Sequence, residues 1–245
     1  MMIANNSQDA VHKAWLYRLL INIFDNNYLA QVLRFKGGTC SAMLGYLDRF
    51  SVDLDFDYIG EKEDVYKTKK EFKKIFNTLD LEIKDESQNV PQFFLRYKSI
   101  EQSRSNIKID TTFPPPDSNI YEAKFFLDIQ RTIYCQNIET MFANKLVAPL
   151  DRYKKNKTIA ARDIYDIHVY FINHYNYNKD VIIERTGKNI VDFLKELYSF
   201  IDKNINNKII DQDLNSLLFY KKFKSIRKTL KIDVLFLIKE EIKKI

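Results

Sequence analysis

The chain has 245 residues, 45% of them hydrophobic, with 18 Phe and 15 Tyr, which is enough to build a core in one large domain or two modest ones without disulfide staples. Two cysteines, Cys40 and Cys135, and three scattered histidines show no C-x-x-C or other metal-ligand spacing, a pattern that excludes structural zinc and points to a reducing cytoplasm. No apolar run approaches the roughly 20 residues of a membrane span, the N-terminus lacks the form of a secretory signal, and the net charge of +6 is local, because residues 216–245 hold nine Lys or Arg against three Asp or Glu and the remainder is balanced.

Val11, Trp15, Leu16, Leu19, Leu20 and Ile23 recur at helical spacing over residues 8–24, predicting an amphipathic helix with these positions toward the core. Asp25-Asn26-Asn27 breaks it, and Tyr28 to Phe35 reads as a strand or a second short helix.

Residues 36–57 carry the chemistry. Gly37 and Gly38 stand side by side, a helix-compatible stretch follows from Thr39, and then acidic and apolar residues alternate. In an extended strand Asp53, Asp55 and Asp57 project to one face while Val52, Leu54 and Phe56 project to the other. Like charges at adjacent positions of one face repel, so such a face either ends in solvent or holds a cation, and hard cations such as Mg²⁺ accept carboxylates together with substrate phosphates. Glycines let backbone amides approach a ligand closely, and a helix start presents its positive end to an anion. Phosphates at the glycines and metal at the aspartates would place a nucleoside triphosphate between them.

This stretch resembles the nucleotidyltransferase AbiEii/AbiGii toxin family, which carries Lys-Gly-Gly-Thr and then Asp-Arg-Phe-Ser-x-Asp-Leu-Asp-Phe. Here those residues are Lys36 to Thr39, Asp48 to Ser51 and Asp53 to Phe56, with thirteen residues between Thr39 and Asp53. The resemblance implies phosphate contacts at Lys36, Gly37, Gly38, Thr39, Arg49 and Ser51, and metal ligation by Asp53 and Asp55.

Residues 61–79 read as a surface helix with a solvated lysine face. Strand-like runs follow at Leu81 to Lys84, Gln92 to Lys98, Ser105 to Phe113, Glu122 to Leu127 and Gln130 to Cys135, with Pro114-Pro115-Pro116 as the clearest breaker. In the third run Asn106, Lys108 and Asp110 alternate with Ile107 and Ile109, which puts Asp110 on the polar face of a half-buried strand. It is either a surface aspartate or, as the resemblance implies, the third carboxylate of a polymerase-β-type site.

From Ile138 onward the pattern is helical to the end. Lys145 sits among Ala143, Leu146, Val147 and Ala148 on a helix over residues 137–150, where a lysine either snorkels to solvent or meets an anion. The resemblance implies an active-site lysine at this place. Arg162, Asp163 and Asp166 look like the family's last motif, and Asp163 and Asp166, three apart, share a helix face. The plain alternative is an Arg162–Asp166 ion pair. Many members carry another basic residue where Ala160 stands here, a place that Arg152, Lys154, Lys155 or Lys157 could fill. In the last stretch Leu217, Tyr220, Phe223, Ile226 and Leu230 form an apolar stripe and Lys221, Lys222, Lys224, Arg227, Lys228 and Lys231 surround it, as a solvated face or a nucleic-acid surface.

The expectation is an α+β protein: a mixed-sheet nucleotidyltransferase domain of the polymerase-β type over residues 1–135 and a helical domain over 136–245 that completes the active site. The resemblance implies a cytoplasmic toxin of a type IV toxin–antitoxin or abortive-infection pair that transfers NMP from an NTP to a hydroxyl. Asp53, Asp55 and Asp110 would hold two Mg²⁺ ions, Lys145, Asp163 and Asp166 would serve catalysis, and Arg162 would assist binding. The partners would be an NTP, an RNA acceptor such as a tRNA 3′ end, and a separate antitoxin protein, with no membrane. The alternatives are a nucleotidyltransferase acting on a small molecule such as an antibiotic, one that modifies protein, and a non-catalytic nucleic-acid-binding relative.

Overall fold

Helix α1 (Ser7–Asp25) begins where the Asn6 side chain accepts the Asp9 amide at 2.8 Å and ends at Asn26. The same Asn26 then caps helix α2 (Asn27–Val32) by accepting the amides of Tyr28 and Leu29. Strand β1 (Leu33–Lys36) follows directly, so the segment left open between strand and helix contains both. Leu16, Leu19, Leu20 and Ile23 are buried as expected. Val11, by contrast, is 51% exposed, and the buried place beside it belongs to His12, whose ring nitrogens meet the Tyr97 hydroxyl and the Val52 carbonyl. Trp15 is only half-buried and stacks on Tyr97.

The computed structural model describes residues 2, 4–98 and 105–245. After helix α3 (Gly37–Met43) come strand β2 (Leu54–Tyr58), helix α4 (Val65–Thr78) and strands β3 (Glu82–Glu86), β4 (Phe93–Arg96), β5 (Asn106–Thr112), β6 (Tyr121–Phe126) and β7 (Arg131–Gln136). The seven strands form one mixed sheet in the order β3-β4-β5-β2-β1-β7-β6. At its centre β2 runs antiparallel to β1 and parallel to β5, while β1 runs parallel to β7.

Alternation fixes the two faces. Phe35, Phe56 and Cys135 pair in register across the sheet and Ile109 pairs with Leu54 and Phe93, and all are wholly buried on one face. Phe72 and Phe76 of α4 cover the sheet at Phe93. One lysine of α4 departs from the solvated face: Lys69 is buried and donates to the Ser87 carbonyl at 2.7 Å, because its stem crosses the apolar side of the helix before reaching a polar partner.

The chain divides into two units, Met1–Pro115 with Tyr121–Gln136, and Pro116–Ile120 with Asn137–Ile245. The last residues of the proline-rich loop belong with the helices because their backbone bonds go there: the Glu184 carboxylate accepts the amides of Asp117 and Ser118, and the Ile120 carbonyl accepts that of Asn137. The second unit is entirely helical: α5 (Ile138–Asn156), α6 (Ala161–Ile172), α7 (Lys179–Thr186), α8 (Ile190–Asn204), α9 (Asn207–Leu214), α10 (Tyr220–Ile226) and α11 (Leu230–Lys244). Helix α5 is longer than the predicted 137–150. It continues through Pro149 to Asn156 and closes at Lys157 in the left-handed conformation.

Candidate active site

In the sheet unit the glycine pair is fixed by what lies against it. Gly37 has φ +78°, a backbone that favours glycine, and a Cβ there would come within 2.1 Å of Asp55 Oδ2. A Cβ on Gly38 would lie 2.7 Å from Arg49 Nη2 and 2.9 Å from Ser51 Oγ. Thus Gly37 abuts the carboxylate motif, and Gly38 abuts the Arg49 and Ser51 side chains, which are nearly buried. Helix α3 begins at Gly37, two residues before the expected start, and the preceding Lys36 gives it no side-chain cap.

The three alternating aspartates take three different places. Asp53 lies one residue before β2 rather than on it, and its carbonyl accepts the Thr39 hydroxyl at 2.5 Å. Thr39 is wholly buried, so its hydroxyl anchors the turn that carries Asp53. Asp55 is half-buried on β2 and is paired in register with Lys36 of β1 on one side and Asp110 of β5 on the other. Neighbouring strands lie about 4.8 Å apart, which sets the two carboxylates side by side on one face. Asp110 is 38% exposed and ion-paired with Lys108, two residues earlier on the same face. That ammonium offsets the repulsion two adjacent carboxylates would otherwise feel.

Asp57, the third aspartate of the alternation, is wholly buried rather than presented to solvent. Its carboxylate accepts Lys36 Nζ at 2.6 Å, the Tyr121 hydroxyl at 2.9 Å and Gln136 Nε2 at 2.7 Å. Lys36 also donates to the Thr112 hydroxyl at 2.6 Å. These bonds join β1, β2, β5, β6 and β7, so Lys36 and Asp57 form the strut under the acidic pair. Sequence reasoning saw that Asp57 shares a face with Asp55 but had no signal for its burial, which depends on partners from β6 and β7.

Among the described residues no group of three or more His, Cys, Asp or Glu is set to hold a metal ion. The donors at Asp53, Asp55 and Asp110 are nonetheless all hard carboxylate oxygens, and the absence of a side chain at Gly37 leaves the Asp55 carboxylate its place. This suits Mg²⁺, which takes one or two protein carboxylates and completes its octahedron with water and substrate phosphates.

In the helical unit Lys145 of α5 is the centre of a second cluster. Its ammonium lies 3.1 Å from Asp163 Oδ1 and 2.9 Å from Asp166 Oδ2, both carboxylates being essentially buried on α6. Arg152 Nε meets the other oxygen of Asp163 at 3.1 Å. Of the basic residues that could fill the place opposite Ala160, Arg152 is therefore one that reaches the motif. Burial alone would raise the Asp163 pKa, but the charges of Lys145, Arg152 and Arg162 outweigh it and hold the group at about 2.

Local structure positions this cluster. Residues three apart on a helix share a face, which brings Asp163 and Asp166 together. The α6 start is fixed by Asp213 of α9, whose carboxylate accepts the Ala161 amide at 2.6 Å because Ala160 has no side chain able to cap. Pro149 lacks the amide that would bond the Lys145 carbonyl four residues back, so the helical ladder of α5 is interrupted at the residue that carries the ammonium.

The family described as nucleotidyl transferase AbiEii toxin, type IV TA system, matches residues 18–228. Among solved structures the chain is similar to JHP933 from Helicobacter pylori, at 23% identity and TM-score 0.63 over 98% of this chain and 94% of that one. It is also similar to MenT4, a nucleotidyltransferase toxin from Mycobacterium tuberculosis, at 16% identity and TM-score 0.54 over 96% and 85% of the two chains. An antigenic nucleotidyltransferase-like protein from Paracoccidioides brasiliensis aligns at 11% identity and TM-score 0.50, covering 91% of this chain and 99% of that one. At these identities the structural likeness shows the fold. No curated protein matches the chain with significance.

Proposed function

Because the chain belongs to the AbiEii family of nucleotidyltransferase toxins of type IV toxin–antitoxin systems, we propose that it transfers a nucleoside monophosphate from an NTP to the 3′ hydroxyl of an RNA, a tRNA in the first instance, releasing pyrophosphate. The observation that carries this reading is the register of Asp55 against Asp110 with Gly37 packed on the Asp55 carboxylate. It combines adjacent hard oxygen donors with a glycine whose missing side chain gives the Asp55 carboxylate its room.

Asp53, Asp55 and Asp110 would hold divalent cations. A bound Mg²⁺ would supply charge neutralisation on the triphosphate and acidify the attacking hydroxyl. The backbone of Gly37 and Gly38, with Arg49 and Ser51 behind it, would receive the phosphates, and Lys36 would act through the strut it forms with Asp57. Lys145 would offer positive charge to the reacting phosphates, oriented by Asp163 and Asp166, a fixed dipole that costs no reorganisation when charge develops. Lys145 itself, with Arg152 and Arg162, keeps Asp163 ionised. The protein would act in the cytoplasm, where NTP and Mg²⁺ are present, and be restrained by a separate antitoxin protein. Among the described residues no helix is long and apolar enough to cross a membrane.

The test is mass spectrometry of total tRNA incubated with the protein, Mg²⁺ and each labelled NTP in turn. Addition of one or more nucleotides to a 3′ end is the expected result. A chain that labels no RNA, but labels a small molecule or a protein in lysate, would overturn the acceptor while keeping the chemistry.

A further inference from the structure

The surplus positive charge of the chain is gathered at one place. Residues 214–232 contain six Lys or Arg and no Asp or Glu, although the whole chain is only +6. Helix α10 turns this run into a surface. It buries Phe223 and Ile226 and leaves Tyr220, Lys221 and Lys224 exposed, and Lys228 is exposed in the turn that follows. Positions three apart share a helix face with about 5–6 Å between Cβ atoms, so Lys221 and Lys224 are neighbours in a row on α10, and Lys228 adds an exposed cation just beyond its end.

Two further cations of the run are paired with carboxylates of the fold. Arg227 pairs with Asp211, and Lys231 bonds Asp202 through both its carbonyl and its carboxylate. Among the described residues no carboxylate lies within ion-pair distance of Lys221, Lys224 or Lys228. Beside the row stands an aromatic ring that the fold does not cover: Tyr220 is 65% exposed, with Lys224 Nζ 4.6 Å from its centroid, and the preceding Phe219 is 47% exposed. The two exposed rings set an aromatic surface beside the ammonium groups. Ammonium groups interleaved with aromatic planes are the combination that holds phosphate backbone and stacks a base.

We propose that α10 and the turn after it present a docking surface for RNA, with Lys221, Lys224 and Lys228 neutralising phosphates and Tyr220 stacking on a base. The inference rests on RNA being the acceptor and adds where in the helical unit it is held. An acidic protein partner would also be drawn to the lysines but has no base to place on Tyr220, and the charge run with its exposed rings favours nucleic acid.

The experiment is filter binding of bulk tRNA to the full chain between about 50 and 200 mM salt. Each lysine that neutralises a phosphate contributes about −0.7 to the log–log salt slope on single strands. The triple variant Lys221→Gln, Lys224→Gln, Lys228→Gln should flatten the slope by about 2 and raise the KM for RNA at least tenfold, leaving the KM for NTP unchanged. Tyr220→Ala should weaken binding roughly tenfold, the lower part of the stacking range, without altering the slope. Should the triple variant fold poorly, the single Gln variants read the same quantity at about 0.7 each.

Superimposable slopes for wild type and folded variants overturn the surface, as does wild-type protein that binds no tRNA. Unchanged tRNA binding together with lost binding of a purified acidic antitoxin assigns the face to a protein and also overturns it. Failure of the acceptor assignment is read separately: the wild-type chain then labels no RNA whatever its salt slope.

Discussion

A Cβ on Gly37 would stand 2.1 Å from the Asp55 carboxylate oxygen, so the glycine of one motif and the aspartate of the other are a single packed contact. Gly37→Ala must both adopt φ +78° with a side chain, a strain of about 1–3 kcal/mol, and displace Asp55. Gly45 supplies the control, since it has φ +80° with nothing within 4 Å of a built Cβ. Thermal unfolding should show comparable losses for Gly45→Ala and the strain part of Gly37→Ala, while only Gly37→Ala loses NMP transfer. Equal transfer by the two variants would separate the glycine from the site.

The aspartates of the alternation should divide by function. Asp53→Asn and Asp55→Asn should reduce transfer by about 10²-fold or more while the protein stays folded, because each removes a charge that a preorganised site needs and relieves repulsion rather than packing. Asp57→Ala should instead destabilise by about 3 kcal/mol, since it strands Lys36, Tyr121 and Gln136 beneath the sheet surface. Urea unfolding and transfer assays on the same preparations distinguish the two patterns, and a folded, inactive Asp57→Ala protein would move that residue into the chemistry.

The Asp163 carboxyl is held at about 2, below its ordinary 3.8. A group depressed in the folded state stabilises the protein fully above its unfolded pKa, and that stability is lost as pH falls through the folded value. This one should therefore contribute about 2 kcal/mol at neutral pH and lose it between roughly pH 4 and 2. Denaturant unfolding across that range should show a steeper decline for wild type than for Asp163→Asn. Parallel curves would mean that Lys145 and Arg152 do not act on the group as their geometry indicates.

Expression of the wild-type chain in a bacterium should arrest growth, and Lys145→Gln, which keeps a donor toward Asp163 and Asp166, should relieve the arrest at equal soluble protein level. Circular dichroism of the purified variant checks that it is folded. Undiminished arrest would leave Lys145 with only the structural task of neutralising two buried carboxylates.

Much of the sheet unit was legible in the sequence because its signals are short-range. The period-2 alternation put Asp55 and Asp57 on one face of β2 and Asp110 on the polar face of β5, though it also counted Asp53, which lies before the strand. The spacing from Lys36 to Asp53 pointed to the family that the matched residues 18–228 establish. Helical periodicity likewise predicted an all-helical stretch after Ile138, since a pattern of three and four survives whatever the helix packs on. What only the tertiary structure decided were the partners. Whether Asp57 faces solvent or a strut depends on Tyr121 and Gln136, more than sixty residues away. Whether Lys145 snorkels or pairs depends on α6 arriving with Asp163 and Asp166, and whether Val11 or His12 takes the buried place on α1 depends on Tyr97 and Val52 being there to receive an imidazole. A sequence pattern states which way a side chain points along its own element. The charge or hydrogen-bond partner that makes burial affordable comes from another element, and its position is set by the packing of the whole unit.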